Sequence, residues 1–326
     1  MNSYGRIFRI TVFGESHGPQ TGINVDGCPP GIAITEDDFC SDLARRKSGK
    51  AGTTTRIESD MPKIVSGIYR GKATGSPITI VFENRDMKPG DYANVDEIPR
   101  PGHADFVAMK KYHGFADSRG GGHFSGRITL GLVAAGVIAK KIIHPIDVRA
   151  ELIEAGGKEE VEDAVREAKK LNDSIGGIIE CVAANMPVGL GEPFFDSIES
   201  VISHLAFSVP AIKGIEFGSG FGAAKMKGSE HNDPIISIEG KTGTNHAGGV
   251  NGGISNGNEL VFRVAVKPAS STSQKQHTMN IRTGEMVDLE VKGRHDLCIA
   301  LRVPVIIEAI TSIGLADLFL QNLKAI

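Results

Sequence analysis

The sequence predicts an α+β fold, a sheet-helix-sheet sandwich made of two related strand-helix halves in one interlocked domain, residues 1–326. Three observations carry this reading. Short runs rich in β-branched and aromatic residues alternate with stretches of helical length and periodicity. No Pro- or Ser-rich linker divides the chain, which is long enough to bury a large core. Finally, Val25-Asp-Gly-Cys-Pro-Pro-Gly-Ile32 leads into a helical pattern, and Ala183-Ala-Asn-Met-Pro-Val-Gly-Leu190 leads into another. Both read as strand, Pro-x-Gly turn and helix. Units that each bury one face pack well with their helices between two sheets.

In chain order, Arg6–Phe13 reads as a strand. Thr35, followed by Glu36, Asp37 and Asp38, reads as the cap of a helix running to about Lys47. Pro77–Glu83 is a strand, Asp105 begins a short helix as its cap, and Gly126–Ile143 and Glu159–Leu171 are helices. Gly177–Asn185 is a strand, Asp196–Ala206 a helix, Glu259–Val266 a strand, and Val305–Leu323 a long apolar helix that suggests an interface between copies. The 41 glycines gather at 120–122, 218–222 and 248–257, where the backbone must turn sharply or approach something closely.

A net charge of -3, from 36 basic and 39 acidic residues, argues against a general nucleic-acid binder. The amino terminus lacks the sustained apolar region of a signal peptide, and no stretch reaches ~18 uninterrupted apolar residues. A soluble, cytoplasmic protein with no membrane partner is expected. Cys28, Cys40, Cys181 and Cys298 lie far apart without a CxxC pair, so reduced structural thiols are expected. None of the ten histidines forms a His-x-x-x-His pair, which argues against a metal hydrolase, and no metal is expected.

Five blocks carry residues suited to chemistry. Gly14-Glu-Ser-His-Gly18 ends a strand: His17 is either a solvated loop histidine or an imidazole held toward a ligand for proton transfer. Arg100-Pro-Gly-His-Ala-Asp105 presents His103 on a rigid turn, as a proton donor requires. Arg119-Gly-Gly-Gly-His-Phe-Ser-Gly-Arg127 precedes a helix, and converging glycine amides with the helix start describe a phosphate seat. Lys267-Pro-Ala-Ser-Ser-Thr272 offers a lysine and hydroxyls for a flavin phosphate or ring edge. Gly293-Arg-His-Asp296 sets a cation, an imidazole and a carboxylate side by side, for structural pairing or for catalysis. Arg45-Arg46-Lys47 reads equally well as a solvated basic run or as a clamp for anions.

These blocks, with Gly228-Ser-Glu-His-Asn-Asp233 and 248–256, occur in an order that resembles the chorismate synthase family across nearly the whole chain. The resemblance implies an α+β sheet-helix-sheet core and a homotetramer. It also implies a lyase that eliminates phosphate from enolpyruvylshikimate phosphate in the anti-1,4 sense, giving chorismate with reduced FMN as cofactor and no net redox change. By the same resemblance, His17 protonates the departing phosphate, His103 protonates the reduced flavin, and Asp296 helps the flavin act as base. Ser16, Arg45, Arg46, Arg127 and Arg294 match substrate contacts. His123, Phe124, Ser125, Ala211, Gly252, Lys267, Pro268, Ala269, Ser270, Ser271 and again Arg294 match flavin contacts.

The implied roles make physical sense. A substrate with two carboxylates and a phosphate needs several fixed cations in a desolvated site. The chain departs from the family pattern where His123 replaces a common arginine, and where Gly52 replaces an anion-binding one, leaving Arg56 as the substitute. The resemblance attaches NADP to the chemistry. No nicotinamide-binding Gly-x-Gly-x-x-Gly is present, so an external reductase or a reduced flavin pool is expected. The competing reading is a homologue that kept the flavin and anion cradle and lost catalysis.

Overall fold

The computed structural model describes residues 2–86, 95–291 and 295–325, without the side chains of 324 and 325. The first sheet uses Ser3–Tyr4 (β1), Arg9–Gly14 (β2), Gln20–Asp26 (β3) and Lys63–Ser66 (β4). A hairpin of Ile68–Tyr69 (β5) and Lys72–Ala73 (β6) then leads to Ile78–Glu83 (β7), and the sheet order is β1-β2-β3-β7-β4. The second sheet contains Asp147–Ala155 (β8), Gly177–Ala184 (β9) and Ile212–Phe217 (β10). After the hairpin Val250–Asn251 (β11) and Ile254–Ser255 (β12) comes Leu260–Val266 (β13), in the order β10-β13-β9-β8. A further hairpin pairs Gln276–Met279 (β14) with Met286–Leu289 (β15). All pairs within both sheets are antiparallel.

The helices are Cys40–Arg46 (α1), Asp105–Lys111 (α2), Thr129–Ile143 (α3), Val161–Leu171 (α4), Ile198–Ser208 (α5), Gly228–His231 (α6) and Pro304–Ala325 (α7). Strands β9 and β13 bury every second residue, among them Ile179, Cys181, Phe262 and Val264, so one face of each meets the helical layer. Helices α3 and α7 are apolar nearly all round and fill the space between the sheets. By length and composition α7 is apolar enough to cross a membrane, but 83% of that window is buried inside this fold. Its apolar surface is consumed within the chain, which corrects the expectation of an interface there.

The two halves are topologically equivalent. The first runs β2-β3-α1-β4-β7-α3 with sheet order β2-β3-β7-β4, and the second runs β8-β9-α5-β10-β13-α7 with order β8-β9-β13-β10. The echoed turns after Val25 and Ala183 follow the equivalent central strands β3 and β9. Equivalent connections, residues 84–128 and 267–303, link the last strand of each half to its core helix. These two connections hold four of the five blocks suited to chemistry.

Strand boundaries differ from expectation at the amino terminus. The amides of Arg6, Ile7 and Phe8 donate to the buried carboxylate of Asp317 on α7 at 2.7–3.1 Å, so pairing with β3 begins only at Arg9. Strand β3 was expected only as the strand running into Val25, and β8 and β10 were not expected at all: Val148, Ala150 and Leu152 do alternate with charged residues along β8, while Gly214 interrupts the short β10. Ser197 caps α5 by accepting from the Ser200 amide at 3.1 Å, so the helix starts two residues later than Asp196.

The helical pair sets the spacing of the sandwich. A Cβ built on Gly136 of α3 would lie 2.4 Å from Ala309 Cβ and 2.5 Å from its Cα, so the helices cross in near backbone contact. Gly136→Val is therefore expected to destabilise the fold by about 1–3 kcal/mol, despite glycine's poor helix propensity, because overpacking outweighs the propensity gain. Urea unfolding measures this, and an unchanged midpoint would contradict the close crossing.

Candidate active site

Residues 14–18 form the short connection between β2 and β3, pinned by the Asn84 amide, which donates to Glu15 O at 3.0 Å and Gly18 O at 2.7 Å. Ser16 is 1% and His17 6% exposed, so the reading of His17 as a solvated loop residue does not hold. Burial, then the neighbouring Arg56 and Arg119, lower the His17 pKa below its usual value.

The three glycines 120–122 pack between the loop of His17 and the turn of His103. All have positive φ, and they form a wedge between two imidazoles. A Cβ on Gly120 would lie 2.3 Å from the His17 ring, and one on Gly121 would lie 3.2 Å from the His103 ring. One on Gly122 would strike Asp117 O at 1.9 Å. Only glycine tolerates both the conformation and the contact.

His103 stands on the turn before α2. Its Nδ1 lies 2.5 Å from Asp105 Oδ1, and the Arg100 guanidinium binds the same carboxylate at 2.7 and 2.8 Å. Asp105 does begin α2, but its carboxylate makes no cap bond. It instead accepts the Arg100 amide, the Arg100 side chain and His103, which corrects its assignment as a cap. Burial opposes ionisation of Asp105, but the bonds from Arg100 and His103 outweigh it and hold the carboxyl well below the usual range.

The loop 267–271 of the second half clamps this turn. Lys267 Nζ donates to Gly102 O and to Ser270 Oγ, each at 2.7 Å. Ser270 Oγ donates to Gly102 O at 2.8 Å, and Arg100 donates to Ser271 Oγ at 3.0 Å. Burial, with Lys213 nearby, lowers the Lys267 pKa.

Two abutting cavities open here. The larger, about 640 Å³, is lined by His103, His123, Phe124, Ser125, Ala211, Lys267, Pro268, Ala269, Ser270, Ser271 and Asp296, with apolar walls from Ile128, Leu132 and Val209. His123 is fixed by bonds between Nδ1 and Gly14 O at 2.8 Å and between Nε2 and Asn2 Oδ1 at 3.2 Å. The smaller cavity, about 190 Å³, is lined by Ser16, Arg46, Arg56, Arg127 and Arg302, with Glu58, Asp60 and Asp296. Gly120, Ser125 and Asp296 border both.

Each guanidinium of the small cavity is held from behind. Arg46, 2% exposed, donates to Thr129 Oγ1 at 2.9 Å and Gly126 O at 2.8 Å, and it lies 3.7 Å from Asp60. Arg127 donates to Asp60 at 2.8 Å and to Asn84 Oδ1. Arg56 donates to Glu58 at 2.7 Å and to Ser16 Oγ at 3.0 Å. Arg302 donates to Arg46 O at 3.0 Å and pairs with Asp296 at 3.3 Å, while Asp296 also accepts the Thr54 amide at 2.9 Å. Burial, then Arg302, make the charge on Arg46 costly, which Asp60 partly offsets.

Not every expected residue reaches the site. Arg45 faces the other side of α1, where its guanidinium forms a two-bond pair with Glu308 of α7 at 2.6 and 2.7 Å, so its assignment as a substrate contact is corrected. Gly252 lies at the turn of the β11–β12 hairpin and lines neither cavity. Arg294 falls outside the described residues. Arg302 and Asp60 were missed. The signal for Arg302 was a charge interrupting the apolar run 300–309, since charges buried in such runs are paired or used. Asp60 had no signal, because only the fold brings it between Arg46 and Arg127.

The profile of the family described as Chorismate synthase matches residues 8–320. A chorismate synthase of Chitinophaga pinensis is 62% identical over 326 residues, covering 100% of this chain and 98% of that protein. One from Dehalococcoides mccartyi is 43% identical, covering 98% of this chain and 97% of that protein. A crystal structure titled as chorismate synthase superposes with a TM-score of 0.77 at 27% identity, covering 98% of this chain and 94% of the other.

Two outcomes are expected from this geometry. Gly120→Ala should displace the His17 ring and lower turnover by about 10²-fold, the cost of a misplacement near 1 Å, and unaltered kinetics would refute the wedge. Because His17 takes a proton less readily folded than unfolded, wild type should lose stability as the pH falls through the ordinary histidine range. His17→Gln lacks this loss, so the stability gap between the two should shift in the variant's favour on acidification; parallel urea midpoints from pH 8 to pH 5.5 would contradict it.

Proposed function

The chain belongs to the chorismate synthase family, and from this premise we propose that its small cavity takes 5-enolpyruvylshikimate 3-phosphate while the larger one takes reduced FMN. The family is one of lyases, and the reaction is the anti-1,4-elimination of phosphate to give chorismate. One observation supports the division most strongly. Four guanidiniums converge in a buried cavity of about 190 Å³ that shares a wall with one large enough for a flavin. A polyanion leaving water needs such fixed cations, and planar guanidiniums suit carboxylate and phosphate.

The larger cavity fits FMN by its donor set. A lysine, three serine hydroxyls and a fixed imidazole stand at the rim of apolar walls, as a planar ring with an anionic tail requires. His123, Phe124, Ser125, Ala211 and the loop Lys267–Ser271 would hold it. When bound, the reduced flavin supplies transient electron density to the electron-poor centre left by the departing phosphate.

The protein's own groups bind, orient and manage protons. Arg46, Arg56, Arg127 and Arg302 fix the anionic groups in orientation, with Ser16 as a hydroxyl partner. His17, buried between Arg56 and the glycine wedge, would hold a proton toward a phosphate oxygen once an anionic ligand offsets the cations that disfavour its charged form. His103 holds the proton on the cofactor side, and the Asp296 carboxylate, on the border of both cavities, supports proton removal from the substrate.

We further propose a cytoplasmic homotetramer supplied by an external reductase, drawing on NADPH, or by a reduced flavin pool. Exposed Phe195, Phe221 and Ile238 support association, since apolar side chains left in water often mark contacts. Purified protein with substrate and reduced FMN under anaerobic conditions should form chorismate; unchanged substrate at high enzyme concentration would favour the non-catalytic reading. His17→Ala and His103→Ala should each lower kcat by about 10²–10⁴-fold. A lossless His17→Ala would remove the histidine from the mechanism.

A further inference from the structure

We propose that Asp105 is a positioning residue that fixes His103 in the Nδ1–H tautomer, leaving Nε2 as the one ring atom able to exchange a proton. This deepens the reading of His103 as the cofactor-side proton donor and rests on it.

The argument starts from the carboxylate. Asp105 is buried, 4% exposed at its side chain, and its oxygens take two charge-assisted bonds from Arg100 at 2.7 and 2.8 Å. A carboxylate so paired is an acceptor only. The atom 2.5 Å from its Oδ1, Nδ1 of His103, must therefore carry the hydrogen of that bond. Arg100 also lies 3.0 Å from Nδ1 and 3.3 Å from Nε2; a guanidinium can only donate, and Nδ1, committed to Asp105, cannot accept, so only an unprotonated Nε2 can take that donor.

The rest of the surroundings hold the ring in place. A Cβ on Gly121 would come within 3.2 Å of Cε1 and 3.3 Å of Nε2, while Lys267 and Ser270 from the second half hold Gly102 O and Arg100 is tied to Ser271. Rotation of the imidazole would break the bond to Asp105 and press the ring on the glycine wedge. His103 borders the larger cavity on one side and a pocket of about 180 Å³, lined also by Asp105, Asp117 and Gly121, on the other. Asp105 thus acts through His103 and borders the small pocket without lining the larger cavity.

The test uses the full-length protein. Long-range ¹H–¹⁵N spectra of histidine-labelled wild type, with His103→Gln for assignment, should show a pyrrole-type Nδ1 and a pyridine-type Nε2 for neutral His103. Asp105→Asn should lose that preference and lower kcat by about 10²–10⁴-fold with little change in KM, and Asp105→Glu should recover part of the loss. Because the Asn variant leaves Arg100 poorly paired, a double-mutant cycle guards against a folding defect. On the His103→Gln background, Asp105→Asn should cause no further loss. Multiplying losses, or an unchanged tautomer in Asp105→Asn, would overturn the assignment. If wild type gave no absorbance change on titration with reduced FMN while the tautomer result held, the flavin reading alone would fail and the role of Asp105 would stand.

Discussion

A guanidinium kept charged away from water needs oxygen behind it, and the site is organised by that requirement. Asp60 lies between Arg46 and Arg127, Glu58 backs Arg56, and Asp296 backs Arg302. Carbonyls of Gly126, Glu83 and Arg46 take further donors. Removing one carboxylate would leave an uncompensated buried cation, which costs more than the pair contributes. The same pairing aims the remaining donors into the cavity, where an anion with several charges completes the balance. Asp60 adopts positive φ to make its double contact, a conformation that a β-branched residue would resist.

That arrangement depends on the doubled topology. The connections 84–128 and 267–303 occupy equivalent places in the two halves, each leading from the last strand to the core helix. Antiparallel sheets facing each other across α3 and α7 bring these connections together. One supplies Arg100, His103 and the glycine wedge, the other Lys267, Ser270, Ser271, Asp296 and Arg302. Bonds across the junction, such as Lys267 to Gly102 and Arg302 to Arg46, make the site a property of both halves. The near backbone contact at Gly136 and Ala309 keeps the halves at the distance these bonds require.

The two histidines are kept apart in environment as well as space. Gly120 faces one ring and Gly121 the other, so a single turn of backbone separates them. His17 sees burial and cations and favours its neutral form, whereas His103 sees an ionised carboxylate. Different surroundings let two like imidazoles serve different proton transfers.

Much of this was legible in the sequence wherever the determinant was local. The central strands β7, β9 and β13, the long apolar helices, the Pro-x-Gly echo and the blocks around His17, His103 and Lys267 all follow from composition, spacing and turn chemistry. The local signal was weak where Gly214 interrupts the short alternation of β10. Only tertiary structure decided what neighbours a side chain meets. It turned Arg45 away to Glu308 and Arg46 inward, although they are adjacent, because successive helical residues point about 100° apart. It brought Asp60 and Arg302 into one cavity from opposite ends of the chain, and it made Asp105 a partner of His103 rather than a cap. A sequence fixes which charges exist and which segments bury them, but which charge stands behind which is settled when distant segments share one desolvated volume.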